Sequence, residues 1–182
     1  MWKEHEWILN GSMFDKSLLR NYLAYSIASE FMPCTPDSYY CEVIMRDGNR
    51  YTYQGVYLLM ESIKQGPDRV DIAEYKEGDV FNSYLLRRDR YEENVNILKT
   101  YGQINGYSKE FFELRYPTRL KASDDTIRYV EKDISRIEEV IYSDDPKVFS
   151  RYSEVIDVDS FIDYFLLNEF FASYDAGNFS TY

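Results

Sequence analysis

The chain has 182 residues, enough for one domain with a sizeable core or for a large piece of a longer one. Asp and Glu outnumber Lys and Arg by 32 to 21, which gives a formal net charge of −11 at pH 7. This balance provides no basic face, so we expect no nucleic acid and no anionic membrane as partner. No apolar run reaches the roughly 18 to 20 residues of a membrane span.

The cysteine and histidine content restricts the available chemistry. Cys34 and Cys41 are the only cysteines and His5 is the only histidine, too few ligands for a Cys/His metal cluster. We prefer two free, partly buried thiols, with a disulfide across the intervening turn as the alternative. The sequence contains no Gly-rich phosphate loop and no Ser-centred nucleophile motif. Any catalysis must therefore use carboxylates, hydroxyls or a bound metal.

The first elements are a short strand and a helix. Residues 6–9 (EWIL) predict a short strand or a buried turn. Asp15 is predicted to cap a helix that continues to Phe31. The helix has one apolar face, which we expect to be buried. That face consists of Leu19, Tyr22, Leu23, Ile27 and Phe31.

The strongest hairpin pattern of the chain follows. Residues 39–46 predict a strand, and residues 47–49 (DGN) supply the positive φ of a tight turn. The return strand runs to Met60 and is interrupted at Gly55. Glu61 is the first residue after it.

The middle of the chain is less regular. Residues 68–73 predict another short strand, and residues 83–88 predict a better one. Polar residues and glycines interrupt every periodicity in residues 89–109, which predicts a long surface excursion. Residues 111–116 predict a strand that Pro117 stops.

Two further helices are predicted, with a short helical turn at 144–152 between them. Ser123 caps a helix to Tyr142, whose apolar residues recur at spacings of three and four. The closing helix starts from a cap at Asp159 and Ser160, and Gly177 ends the pattern. Its apolar positions are Phe161, Phe165, Leu166, Phe170 and Phe171.

The last residues carry a candidate site. The closing helix delivers Asp175 into a loop, and residues 179–182 then read as the start of a strand. Such an arrangement holds a carboxylate at the mouth of a site, although most such residues only form turns. Asp157 and Asp159 are better explained as helix caps than as metal ligands.

Three segments together resemble the CotH family, the spore-coat-associated atypical protein kinases. They are EWILNGSMFDKSLLRNYLAY, then CEVIMRDGNRYTYQGVYLLMESIKQGPDRVDI, then the closing DVDSFIDYFLLNEFFASYDAGNFSTY. The second segment is the most specific, because a turn followed by GVYLLME and RVDI recurs in that order in the family. The resemblance covers nearly the whole chain.

The resemblance implies an α+β, kinase-like fold, with residues 1–182 as a single partial domain truncated at both ends. The region near 56–63 would be the hinge and the region near 160–182 the catalytic loop. The implied cofactors are ATP and Mg²⁺ or Mn²⁺, and the implied partner is a protein substrate with Ser or Thr hydroxyls. The family also suggests a secreted, cell-surface or spore-coat protein.

Site residues follow from the same resemblance. The backbone of Glu61, Ser62 and Ile63 would face the adenine, and Asp175 would be the catalytic-loop carboxylate. Ser180 or Asn178 would assist the metal, since Ser180 lies where many family members have Asn.

Two parts of the family pattern are not found in the sequence. They are a phosphate-contacting lysine, expected before residue 6, and a metal-binding Asp, expected after Tyr182. Phosphoryl transfer depends on both charges, so we predict that this chain alone is inactive. The alternative is a non-catalytic coat or cell-surface interaction module on the same scaffold. A carbohydrate-binding domain using its many tyrosines is a weaker alternative.

Overall fold

The computed structural model describes residues 6–89, 97–108, 111–118, 120–176 and 181. Helices and strands are mixed along the chain, which confirms the α+β class. The chain divides into two compact units, and residues 6–63 and 67–70 form unit 1. Unit 2 consists of residues 64–66 and the described residues from 71 onward. None of the helices in these ranges has the length and apolarity needed to cross a bilayer.

Unit 1 is built on an antiparallel three-stranded sheet. Its strands are β1 (Trp7–Asn10), β2 (Ser38–Asp47) and β3 (Arg50–Glu61), in the order β1-β3-β2. Leu58 and Met60 are buried on the central strand β3, which therefore carries the core of this unit. The predicted strand at EWIL and the predicted hairpin are both confirmed.

Gly55 bends the hairpin without ending β3. The register shifts there, since Val43 pairs with Gly55 while Ile44 pairs with Tyr53. The φ angle of Gly55 is 108°, a conformation that residues with a Cβ rarely adopt. The predicted interruption of the return strand is thus a β-bulge within one continuous strand.

The first helix is shorter than predicted. α1 spans Arg20–Ala28, and Leu18 before it has a φ of 60°. Asp15 stays outside the helix, where its carboxylate accepts hydrogen bonds from the backbone N–H groups of Ser17 (3.0 Å) and Arg20 (2.9 Å). The prediction that the apolar face is buried was wrong, because four of its five residues are exposed. These are Leu19, Leu23, Ile27 and Phe31.

Unit 2 has its core between a two-stranded sheet and a long helix. β4 (Leu85–Arg88) pairs antiparallel with β5 (Phe112–Tyr116), and α3 spans Asp124–Ile141. Both predicted strands and the predicted helix are confirmed, and the Ser123 hydroxyl accepts from Thr126 N–H as the expected cap. The buried core consists of Leu98, Leu114, Val130 and Ile134.

Two predictions for the middle of the chain were wrong. Residues 68–73 form no regular strand. The predicted excursion at 89–109 contains Leu98, which is only 1% exposed, and the short helix α2 (Tyr101–Ile104). Leu98 N–H donates to Phe112 O at 2.9 Å, so this part of the chain packs beside β5.

The last helices carry two further corrections. α4 (Pro146–Phe149) and a single 3₁₀ turn (Tyr152–Glu154) confirm the predicted helical turn. α5 spans Val158–Phe171, and its cap is Asp157, not Asp159 and Ser160. It ends before the predicted stop, with Ala172 in the left-handed region at φ 49°. None of its residues is fully buried.

Candidate functional site

A cavity of about 290 Å³ opens at the end of β3. It lies entirely within unit 1 and joins the turn before β2, the end of β3 and the bend at residues 67–70. The three residues predicted to face a nucleotide base, Glu61, Ser62 and Ile63, all line it. The remaining lining residues are Cys34, Thr35, Pro36, Asp37, Pro67, Asp68, Arg69 and Val70.

The buried Glu61 side chain connects two of the segments that line this cavity. Glu61 is 6% exposed, and its Oε2 accepts from Asp37 N–H at 3.1 Å. Its own N–H donates to Asp37 O at 3.1 Å. Its Oε1 forms an ion pair with Nη1 of Arg69. The β3 end is therefore fixed both to the turn before β2 and to the bend at residues 67–70.

Arg69 is a cavity residue that the sequence analysis did not single out. Its side chain is 2% exposed, and its Cζ lies 5.1 Å from the centre of the Trp7 ring. Nη1 also donates to Asp68 O at 3.0 Å, but Nε and Nη2 have no hydrogen-bond partner among the described residues. A buried donor left without an acceptor costs about 1–3 kcal/mol. Its place in the RVDI segment was the only available signal.

Ser62 and Ile63 follow directly after the end of β3. Within the described ranges, neither residue takes part in a backbone–backbone hydrogen bond. The Ser62 hydroxyl donates to Glu6 O at 3.4 Å. A kinase hinge binds a purine base through one backbone N–H donor and one backbone C=O acceptor. The backbone of Ser62 and Ile63 contains both kinds of group, as the predicted base contact requires.

Among the described residues that line the cavity, acidic side chains outnumber basic ones. Asp37, Glu61 and Asp68 line it together with Arg69. The charge of Asp37, followed by burial and a hydrogen bond to the same carboxylate, raises the pKa of the neighbouring Tyr39 hydroxyl.

Asp175 lies in a separate cavity of unit 2. It is exposed in the turn after α5 and lines an opening of about 350 Å³. Tyr164 and Thr181 lie on the same opening, and their hydroxyls are 3.0 Å apart. Thr181 in turn exchanges backbone hydrogen bonds of 2.8 and 3.0 Å with Arg88, so Thr181 is paired to β4.

The predicted metal-assisting residues Ser180 and Asn178 lie outside the described residues. Among the residues that the structure does describe, no group of three or more His, Cys, Asp or Glu side chains could hold a metal ion. Cys34 and Cys41 are free thiols, as preferred from the sequence. Cys41 is partly buried as expected, but Cys34 is exposed and lines the unit 1 cavity.

Comparison with known proteins gives one clear result. The family model described as CotH kinase protein matches residues 2–182. No curated protein and no solved structure matches the chain significantly. Since the family model covers almost every residue, the resemblance seen in three segments extends along the whole sequence. The chain therefore belongs to the CotH family.

Proposed function

We propose that this chain forms part of a CotH-type protein kinase, which transfers the γ-phosphoryl group of ATP to Ser or Thr hydroxyls of a protein. The observation that carries the proposal is the match of the CotH kinase model to residues 2–182. Kinases of this family use a nucleotide and a divalent metal, here ATP with Mg²⁺ or Mn²⁺. The metal would neutralise charge on the phosphates.

The unit 1 cavity supports the binding half of the proposal. The end of β3 presents the main chain of Ser62 and Ile63, and the Glu61 ion pair holds that strand end in place. A base bound by backbone groups depends on such a fixed strand end, because a loose one would lose entropy on binding. Glu61 therefore acts as a positioning residue, while its neighbours contact the base.

The exposed position of Asp175 supports the catalytic part of the proposal. It is exposed in the turn that follows α5, and Thr181, six residues later, exchanges backbone hydrogen bonds with Arg88. An exposed carboxylate can orient a substrate hydroxyl and accept its proton as the phosphorus–oxygen bond forms. Asn178 and Ser180 follow it and are the proposed metal-assisting residues.

Isothermal calorimetry and phosphotransfer test the proposal. ATP with Mg²⁺ or Mn²⁺ is titrated into the chain, and into any longer form that its gene encodes, with and without Asp175→Asn. We expect metal-dependent binding of ATP by the chain and by the longer form. Transfer of labelled phosphate to a Ser-rich protein is expected only from the longer form, and only when it keeps Asp175. Absence of nucleotide binding in every form would reject the kinase function.

A specific observation favours a second candidate, the non-catalytic interaction module. α5 exposes large apolar side chains, among them Phe161, Phe165 and Phe170. Exposed apolar patches of this kind are typical of surfaces that another protein covers. This function predicts that the protein binds a partner without nucleotide, and that Asp175→Asn changes nothing.

A further inference from the structure

Three tyrosine rings are stacked on one another in unit 2. The ring centres of Tyr101 and Tyr107 lie 5.9 Å apart, with 20° between the ring planes. The ring centres of Tyr107 and Tyr142 lie 5.1 Å apart, with 12° between the ring planes. Both separations are within the range of about 4.5–7 Å at which aromatic rings attract each other. Tyr107 is therefore the middle ring of a nearly parallel stack of three phenols.

Backbone hydrogen bonds fix the segments that carry the stack. Tyr107 N–H donates to Gly102 O at 2.8 Å, and Tyr142 N–H donates to Glu138 O at 2.8 Å. The Glu138 carboxylate in turn accepts from Gly102 N–H at 2.7 Å. The backbone beside Tyr107 is thus tied to the backbone beside Tyr142, so the folded chain holds these rings next to each other.

The middle ring is also the one that a reagent in solution reaches most easily. Tyr107 is 51% exposed, whereas Tyr101 and Tyr142 are half-buried. Burial, and then the charge and the hydroxyl of Tyr107, raise the pKa of the Tyr101 hydroxyl. The hydroxyl ends of Tyr101 and Tyr107 therefore lie close together.

Phenols in this arrangement are suited to oxidative coupling. Hydrogen peroxide with a haem peroxidase removes one electron and one proton from each of two tyrosines, and the peroxide is reduced to two molecules of water. The two phenoxyl radicals then form a bond between ring carbons next to the hydroxyl-bearing carbons. The hydrogen on each of these carbons is transferred to oxygen, which restores both phenols. Rings that are already side by side need no diffusional encounter for this step.

We propose that the tyrosine stack is a modification site, at which oxidation by peroxide and a haem peroxidase joins Tyr107 to one of the two rings beside it. The product is dityrosine within one chain. A bond to Tyr101 links the turn after α2 to that helix, and a bond to Tyr142 links the same turn to the end of α3. None of the three tyrosines lines the cavity at the end of β3, so the modification is independent of the proposed function.

Peroxidase treatment followed by peptide mapping tests the site. The chain is oxidised at low concentration, and the monomer is isolated and digested with trypsin for mass spectrometry. Tyr101 and Tyr107 lie in one tryptic peptide, residues 100–109, and Tyr142 lies in another, residues 137–147. A bond between the first two makes peptide 100–109 lighter by two hydrogen atoms, and a bond to Tyr142 joins the two peptides. We expect these products to contain most of the dityrosine of the monomer, although the chain has 19 tyrosines.

Conservative variants assign the bond. Tyr107→Phe keeps an aromatic ring in the stack but cannot form a phenoxyl radical, so it should abolish both products. Tyr101→Phe should abolish only the product within peptide 100–109, and Tyr142→Phe only the joined peptides. Tyr51→Phe is the matched control, because Tyr51 is 64% exposed and its ring lies against the Arg46 guanidinium. It should leave both products unchanged.

The same oxidation in urea shows whether the folded stack is responsible. Unfolding separates the rings, so the share of total dityrosine found in the two products should fall. Circular dichroism verifies that each variant is folded before oxidation. Dityrosine found only between other tyrosines, or only between separate chains, would overturn the inference, as would Tyr107 products whose share urea leaves unchanged. Tyr107 products that require the folded chain support it.

Discussion

The carboxylate of Glu138 in α3 accepts a hydrogen bond of 2.7 Å from the backbone N–H of Gly102, 36 residues earlier in the sequence. Ser135, one turn earlier in α3, makes an equivalent contact. Its hydroxyl accepts a hydrogen bond of 3.0 Å from Tyr101 N–H. α2 has no side-chain cap of its own. The long helix therefore supplies the acceptors that the first N–H groups of the short helix need.

Gly102→Ala should destabilise the protein, although alanine normally favours a helix. A Cβ on residue 102 would lie 2.8 Å from Glu138 Oε1 and 2.9 Å from a ring carbon of Tyr142. Overpacking of this kind costs about 1–3 kcal/mol in the free energy of unfolding, measured by urea denaturation. In a Glu138→Ala background the same change should have a smaller effect. An alanine variant as stable as the wild type would contradict this close packing.

Leu98→Ala should lower the free energy of unfolding by about 2–5 kcal/mol, because it opens a cavity beside Leu114 and Val130. The comparison is Leu120→Ala, since Leu120 is fully exposed in the same unit. Surface changes of that kind stay within about 0.5 kcal/mol. Equal effects of the two substitutions in urea denaturation would mean that Leu98 is not part of the core.

Asp157→Ala should reduce stability by about 0.5–2 kcal/mol through loss of the α5 cap. The Asp157 side chain accepts from Ser160 N–H at 3.3 Å, whereas Asp159 lies inside the first turn. Asp159→Ala removes only a favourable charge near the helix N-terminus and should have the smaller effect. Thermal unfolding followed by circular dichroism ranks the two variants, and the reverse order would restore the cap predicted from the sequence.

Tyr84 should make stability decline in alkaline solution. Burial, and then the hydrogen bond of 2.7 Å to Asp133, raise the pKa of its hydroxyl well above the ordinary value. The folded state thus keeps a proton that the unfolded chain loses above about pH 10, and the free energy of unfolding falls as pH rises beyond that value.

Urea denaturation between about pH 8 and 11 measures this dependence. Tyr84→Phe should flatten it by up to about 1.4 kcal/mol per pH unit above pH 10. Asp133→Asn, which removes the carboxylate but leaves the buried phenol, should flatten it partly. A slope that is unchanged in Tyr84→Phe would exclude Tyr84 as its source.

The elements that were predicted correctly have strong local patterns. The β2–β3 hairpin has an Asp-Gly-Asn turn between strand sequences, and α3 has both a serine cap and an apolar period. Such signals involve residues close in sequence, and here the local preferences agree with the packing of the fold. The same holds for the order of strand, helix and hairpin that resembles the CotH family.

The errors concern residues whose partners are distant in sequence. Leu98 reads as part of a polar stretch, and only its packing against β5 and α3 makes it a core residue. α1 begins at Arg20, later than predicted, because Asp15 binds the backbone N–H groups of Ser17, before the helix, and of Arg20, at its start. Neither competition between local conformations nor packing across the fold can be read from periodicity alone.

By itself, the sequence determined the α+β class, the family and the strand end at which a base site was predicted. The tertiary structure alone decided that the Glu61 carboxylate is buried, that Arg69 pairs with it, and that two guanidinium donors are left over. The order of residues along the chain specifies local helices, strands and turns. Which partner a buried charge such as that of Glu61 finds depends on the segments that the fold brings together.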